Sequence, residues 1–336
     1  MKEAYLYEKL ENGRIRCGLC NHTCLIKPGA RGVCAVRENR DGVLFTLVYD
    51  KIITRHMDPI EKKPLFHFLP GSMSYSIATT GCNLKCLFCQ NSDISQMPVD
   101  HDHILGEDIP PSAIVKEAIS AGASTIAYTY TEPTIYFELA VDTARLATGK
   151  GIRNIFVSNG YMTKECLEEI STDLHGANID LKAFSDDFYR KQCGARLEPV
   201  LKTISEMVKM GVWLEVTTLL IPGLNDSEEE LKSIAGFLVE QNPDIPWHIS
   251  RFHPTYKLRN IGPTPPESLR RAKEIGYSSG LKYVYTGNIP GDEGEKSFCH
   301  ECGKLLIDRY GFTIRRNMIR DGHCPDCGVK IPGVWE

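Results

Sequence analysis

Three cysteines stand close together between Thr79 and Asn91: Cys82, Cys86 and Cys89, spaced C-x3-C-x2-C with no fourth cysteine nearby. Thiolates at this spacing can bind three corners of a cubane iron–sulfur cluster, which leaves the fourth iron without a protein ligand. An iron with an open position can bind a small molecule and act on it, as an open zinc site does. The alternatives are a zinc loop or three unrelated thiols. A structural zinc needs four ligands, and no fourth is evident here.

Two further cysteine groups flank this loop. Cys17, Cys20, Cys24 and Cys34 read C-x2-C-x3-C-x9-C, with His22 able to replace one of them. Four such ligands suffice for a closed zinc site or for a second iron–sulfur cluster, and the spacing does not choose between them. A metal-free unit of this size would have little core of its own. Cys299, Cys302, Cys324 and Cys327 form two C-x2-C knuckles with 21 residues between Cys302 and Cys324, a zinc-ribbon spacing whose expected role is structural. Cys166 and Cys193 stand alone and are read as small buried hydrophobes.

The elements that must position these groups are strands alternating with helices over some 215 residues. A strand at 74–79 delivers the cysteine loop. Later strands at 125–130, 154–157, 176–182, 212–220, 246–252 and 282–285 are separated by helical apolar faces such as Val200, Ile204 and Met207. Six or seven βα units predict an α/β fold, a partial (β/α)6-type TIM barrel over 71–291, with its active site at the C-terminal strand ends. Glu132, Ser158, Asn159, Gly160, Asp180, Lys182 and His253 fall at those ends. Residues 1–70 form a Cys-rich unit and a connector whose prolines at 59, 64 and 70 predict extended chain; 292–336 form a zinc-ribbon-like tail.

The 336 residues are 42% hydrophobic with a net charge of −4, so there is no general basic field to attract nucleic acid. No run of eighteen apolar residues predicts a membrane span. The start, Met1 to Tyr5, has no apolar signal core, so the expected location is the cytoplasm, where closely spaced thiols stay reduced and bind metal.

With Phe88 before its last cysteine, the C-x3-C-x2-C loop resembles the signature of the radical S-adenosylmethionine (SAM) superfamily. That resemblance implies a [4Fe–4S] cluster on the three cysteines, SAM chelating the fourth iron, and reductive cleavage to a 5′-deoxyadenosyl radical that abstracts hydrogen from a substrate. The segments from Asp58 to Pro70, Tyr128 to Pro133, Ile221 to Asp226 and Tyr285 to Gly291 are similar to the AmmeMemoRadiSam system radical SAM proteins, relatives of the pyruvate formate-lyase activating enzymes. The likeness runs over nearly the whole chain, including both flanking cysteine units. It implies that Phe88 lies beside the cofactor. Glu132 stands where activating enzymes carry Gly-Gly-Glu for the methionine amino group, although Tyr130 and Thr131 replace the glycines. Ser158-Asn159-Gly160 matches the strand end near the ribose and methionine. Val157 stands where a cation-binding Asp is common. Asp180 and Lys182 suit the charged methionine end, and His253 the adenosyl end. Implied partners are an electron donor such as flavodoxin or ferredoxin, and Memo-like and AMMECR1-like proteins or a glycyl radical enzyme. The competing expectation is a zinc-stabilised scaffold or nucleic-acid adaptor without radical chemistry.

Overall fold

The computed structural model describes residues 1–289 and 291–336; Pro290, within the Tyr285–Gly291 segment, lies outside the described residues. Eight strands make one sheet. At one edge β1 (Thr54–Pro59) runs antiparallel to β2 (Met73–Ala78). Then β3 (Thr125–Tyr128), β4 (Arg153–Ser158), β5 (Gly176–Asp180), β6 (Trp213–Leu220), β7 (Trp247–Arg251) and β8 (Val284–Gly287) follow in parallel, each beside its predecessor. The connections carry α1 (Pro111–Ser120), α2 (Phe137–Thr148), α3 (Lys164–Ile170), α4 (Leu197–Lys209), α5 (Glu228–Gln241) and α6 (Pro266–Ser278). Among the described residues β1 and β8 do not pair with one another.

Because the strand order never reverses, right-handed crossovers put every helix on the same face. The period-two alternation of each strand then sorts its side chains. Ile126, Tyr128, Phe156, Ile179, Val216 and Ile249 join helix residues such as Leu139, Ile204 and Leu231 in the main core. Their neighbours Ala127 and Ile155 face the other way and pack with Ile60, Leu65 and Phe68. The extended connector therefore does more than link domains. It passes under the helix-free face, where Asn178 Nδ2 donates to Pro64 O (2.8 Å) and buried Glu215 accepts from the N–H groups of Phe66 (2.9 Å) and His67 (2.8 Å). Pro59 ends β1, an edge strand, where a missing N–H costs no ladder bond.

The N-terminal unit consists of two small three-stranded antiparallel sheets, and the tail is a third, built from Ser297–Phe298, Leu305–Tyr310 and Thr313–Asn317. Besides the backbone bonds between His67, Leu69 and Val334, a hydrogen-bonded chain ties the tail to the connector. Arg309 Nη1 donates to Ser297 Oγ (2.7 Å), Ser297 to Tyr285 Oη (2.7 Å), and Tyr285 to His67 Nε2 (2.6 Å). His67 Nδ1 donates to Pro332 O (2.7 Å). The carbonyl can only accept, so this assigns a neutral imidazole protonated on Nδ1.

Burial lowers His67 from 6.5 to about 4. Between those values the unfolded chain binds the extra proton, so stability is full above about 6.5 and falls as pH drops towards about 4, by about 3 kcal/mol for the full shift. Urea unfolding of His67→Gln and the wild type at pH 7.5 and 5 is expected to show a smaller acid loss in the variant by about 2 kcal/mol. Equal losses would mean that His67 does not carry the dependence.

Candidate active site

Beyond β2 the chain turns through Thr79, Thr80 and Gly81, the last at φ +105°, into the cysteine loop. The loop is pinned from outside. Lys85 N and Leu87 N donate to the carbonyls of Cys193 (2.8 Å) and Gln192 (2.9 Å), and Gln96 Nε2 donates to Leu84 O (3.1 Å). Donors also face the sulfurs: Leu84 N lies 3.4 Å and Asn159 Nδ2 3.7 Å from Cys82 Sγ, and Ser95 Oγ lies 3.2 Å from Cys89 Sγ. Burial pushes the Cys82 thiol well up, with negative charge on Glu132 and Cys86 adding, and burial likewise raises Cys89. Buried thiols in this state ionise when a bound cation supplies the compensating charge, and the donors around them suit the resulting thiolates. The three sulfurs are thus a fit for a metal cluster. Among the described residues they do not draw in to the ligand spacing of a single ion.

The sulfurs open onto a cavity of about 300 Å³ at the C-terminal strand ends. Phe88, Ser158, Asn159, Asp180 and Lys182, all chosen from the sequence, line it with the three cysteines. Lys182 Nζ lies 2.8 Å from Asp180 Oδ2. Desolvation lowers the Lys182 ammonium, but Asp180 and the neighbouring thiols outweigh it and hold the group well above its ordinary value. Asn159 Nδ2 also donates to Asn83 Oδ1 (2.8 Å), which joins the β4 strand end to the cysteine loop.

Other expected residues sit elsewhere. Glu132 is fully buried behind the cavity wall. It accepts from Thr134 N (3.0 Å), Thr134 Oγ (2.5 Å), Ser158 Oγ (2.8 Å) and Asn159 N (2.8 Å). Its role in this geometry is to hold Ser158 and Asn159. Gly160 supports the same turn at φ +69°, where a Cβ would meet Ile179 Cγ2 at 2.9 Å. His253 is exposed, two residues past β7, and is not among the cavity-lining residues. Tyr130 keeps a left-handed backbone at φ +62°. Its hydroxyl bonds Asp58 and its ring lies 4.4 Å from Lys63 Nζ, anchors that offset the strain.

Several cavity residues escaped the sequence reading. Thr217 and Leu219 come from β6 and Ser250 from β7, all on the helix-free face. Lys62 and Lys63, from the connector, close the opposite wall. Cys193, read as a solitary hydrophobe, is a fully buried thiol whose influence holds Cys86 below its ordinary value, with the Lys182 charge adding.

In the tail, Cys299 Sγ and Cys327 Sγ are 3.6 Å apart, Cys302 Sγ and Cys324 Sγ 3.7 Å, and all four lie within 4.8 Å of one another. A tetrahedron of sulfurs about 2.3 Å from one ion has edges of about 3.8 Å, so the quartet fits a single metal ion.

A singly wound parallel sheet that carries a three-cysteine loop after its first parallel strand, open to a cavity at the strand ends, defines a class of cluster-bearing α/β proteins. Residues 76–235 match the model of the radical SAM superfamily, and the chain belongs to that superfamily. Membership implies a [4Fe–4S] cluster and SAM. An uncharacterized protein of Methanocaldococcus jannaschii is 46% identical over 334 residues, 98% of this chain and 99% of the relative. The pyruvate formate-lyase-activating enzyme of Staphylococcus epidermidis is 22% identical over 246 residues, 66% of this chain and 92% of that enzyme. Streptococcus suis SuiB bound to S-adenosylmethionine shares the fold, with a TM-score of 0.52 and 15% identity over 74% of this chain and 60% of that one. These likenesses do not favour the metal-scaffold alternative. No helix is long and apolar enough to cross a membrane among the described residues.

Proposed function

We propose that the protein is a radical SAM enzyme of the activating-enzyme kind and a member of the AmmeMemoRadiSam group. The observation that carries this is the opening of Cys82, Cys86 and Cys89 onto the same cavity as the Asp180–Lys182 pair. The three cysteines would hold three irons of a [4Fe–4S] cluster, and the open iron and cavity would hold SAM. Asp180 and Lys182 suit an ammonium and a carboxylate, the two charges of the methionine end. Ser158 and Asn159 offer hydrogen bonds along the same wall, and Phe88 an apolar surface. The bound pair would supply reductive cleavage of the sulfonium to a 5′-deoxyadenosyl radical that takes hydrogen from the substrate. This chain's own residues orient the cofactors and shield that step from water.

We read the sheet as a partial barrel open between β1 and β8, and the metal of the tail as zinc. Likeness to an activating enzyme supports a glycine in a protein as the hydrogen donor, and flavodoxin or ferredoxin as the electron source in the cytoplasm. Memo-like and AMMECR1-like proteins are the partners that the group resemblance suggests. The test is anaerobic: protein reconstituted with iron and sulfide, reduced with dithionite and supplied with SAM is expected to release 5′-deoxyadenosine. An iron-loaded protein that releases none overturns the reading. Deuterium traced from candidate partners into 5′-deoxyadenosine identifies the hydrogen donor.

Glu132→Gln keeps the side-chain size but turns an NH2 towards donors that a carboxylate accepted. Loss of one charged hydrogen bond costs about 1.5–3 kcal/mol. SAM binding by equilibrium dialysis is expected to weaken by about tenfold or more through Asn159. Unchanged affinity would separate Glu132 from the placement of that wall.

A further inference from the structure

The N-terminal quartet differs from the C-terminal one in a way that the spacing of the residues does not reveal. Cys17, Cys20, Cys24 and Cys34 all line one enclosed pocket with Arg37 and Ile135. Yet among the described residues their sulfurs do not draw within 4.8 Å of one another, as those of the tail do. A single zinc ion needs that closeness, because all four thiolates share one centre. A cubane cluster gives each thiolate its own iron and spreads the four apart. His22 lines the same pocket, and its Nε2 donates to Asn83 O (2.7 Å), a bond that leaves Nδ1 free and does not itself decide whether His22 is a ligand.

Arg37 adds a second, independent sign of an anionic occupant. It is 2% exposed, and its terminal nitrogens bond Glu138 and Tyr5 O. Its Nε–H has no partner among the described residues although it is buried. A buried N–H of this kind calls for an acceptor, and cluster sulfide or thiolate is one.

We propose that these four cysteines hold a second [4Fe–4S] cluster that passes electrons to the cluster at Cys82, Cys86 and Cys89. The second half rests on the radical SAM reading above. The two sites share a wall. A Cβ on Gly81 would lie 3.5 Å from Cys34 O and 2.9 Å from Val36 Cγ1, so Gly81, beside Cys82, is in contact with the chain of Cys34. His22 reaches the backbone of Asn83, and Asn21 Nδ2 donates to Met162 O (2.6 Å), which docks the same loop on the turn after Asn159. One electron at a time would enter from a low-potential one-electron protein donor, oxidising the donor, and leave for the site cluster, with no bond made or broken at the quartet.

The test is metal counting on full-length protein reconstituted anaerobically. Wild type is expected to hold about eight irons and one zinc per chain, and the triple variant Cys82→Ala/Cys86→Ala/Cys89→Ala about four irons with the spectrum of a [4Fe–4S] cluster. A triple variant with no iron and a second zinc overturns the proposal. Equal iron, about four, in both proteins would instead sink the site-cluster reading and leave this one standing. Cys24→Ser/Cys34→Ser, checked to retain about four irons, is expected to lose turnover driven by reduced flavodoxin. Unchanged flavodoxin-driven turnover in that protein overturns the electron path. If the double variant fails to fold, the counts on the other two proteins still decide the metal.

Discussion

Cys86→Ala is expected to abolish 5′-deoxyadenosine release, a loss of at least about 1,000-fold, or roughly 4 kcal/mol of barrier. The size follows from the ligand count. On the proposed reading three thiolates would serve a four-iron cluster that has no fourth protein ligand in the loop, so removing one would leave two irons unligated and the cluster labile. The fold itself should survive, because the loop is held by backbone bonds at Lys85 and Leu87 and by Gln96, none of which involves the sulfur. Cys193 complicates the single variant. Its backbone carbonyl accepts from Lys85 N (2.8 Å), which brings a second thiol-bearing residue to the loop as a candidate substitute ligand. The double variant Cys86→Ala/Cys193→Ala removes that route and is expected to lose the iron of this loop as well as the product. Release that persists in the double variant would refute the assignment of the loop. Release that persists only in the single variant would instead make Cys193 a competent stand-in.

Much of this site was legible because its signals are local. The C-x3-C-x2-C loop is read without knowing the fold, and the six helical intervals between strands dictate a parallel sheet whose rim collects Ser158, Asn159, Asp180 and Lys182. What was missed lies in side-chain direction and in distant neighbours. On β6 both faces are buried, so the run from Trp213 to Leu220 shows no polar alternation to mark Thr217 and Leu219 as inward. Cys193 meets Cys86 across more than a hundred residues, and nothing in its own neighbourhood announces that. His253 follows a strand in sequence, but β7 has ended at Arg251 and the chain has turned to solvent. Glu132 is the instructive case. An acidic residue directly before a proline and a helical turn has the pattern of an N-cap, and its side chain does accept from Thr134 N at the start of Pro133–Tyr136. The capping pattern was present beside the resemblance to a cofactor ligand, and the cap is the part that the hydrogen bonds of Glu132 display.

Arg37→Met is expected to destabilise the protein by about 3–5 kcal/mol, the cost of leaving one member of a buried ion pair alone. Arg37 binds Glu138 through both terminal nitrogens, Nη1 to Oε2 at 3.0 Å and Nη2 to Oε1 at 2.9 Å, with side chains 2% and 0% exposed. Glu138 also accepts from Tyr5 N (2.6 Å), and Arg37 Nη2 donates to Tyr5 O (2.9 Å). One pair thus joins two N-terminal segments to the first turn of α2. An exposed pair such as Arg16–Glu8 has the same chemistry and is worth only about 0.2–1 kcal/mol, because water screens it and replaces it when it breaks. Burial, not the pairing, sets the difference. It follows that Glu138→Leu should cost about as much as Arg37→Met, and that the double variant should cost much less than the sum, since an apolar pair of similar volume leaves no stranded charge. Chemical unfolding of the four proteins measures this directly. Additive losses would mean that the two side chains act independently despite their geometry. Limited proteolysis separates the location of the damage: cleavage is expected to begin in residues 1–50 of either single variant while the sheet from β2 to β8 remains protected, because Arg37 and Glu138 bind the N-terminal unit to α2 and, among the described residues, their side chains make no hydrogen bond or ion pair to a strand of that sheet.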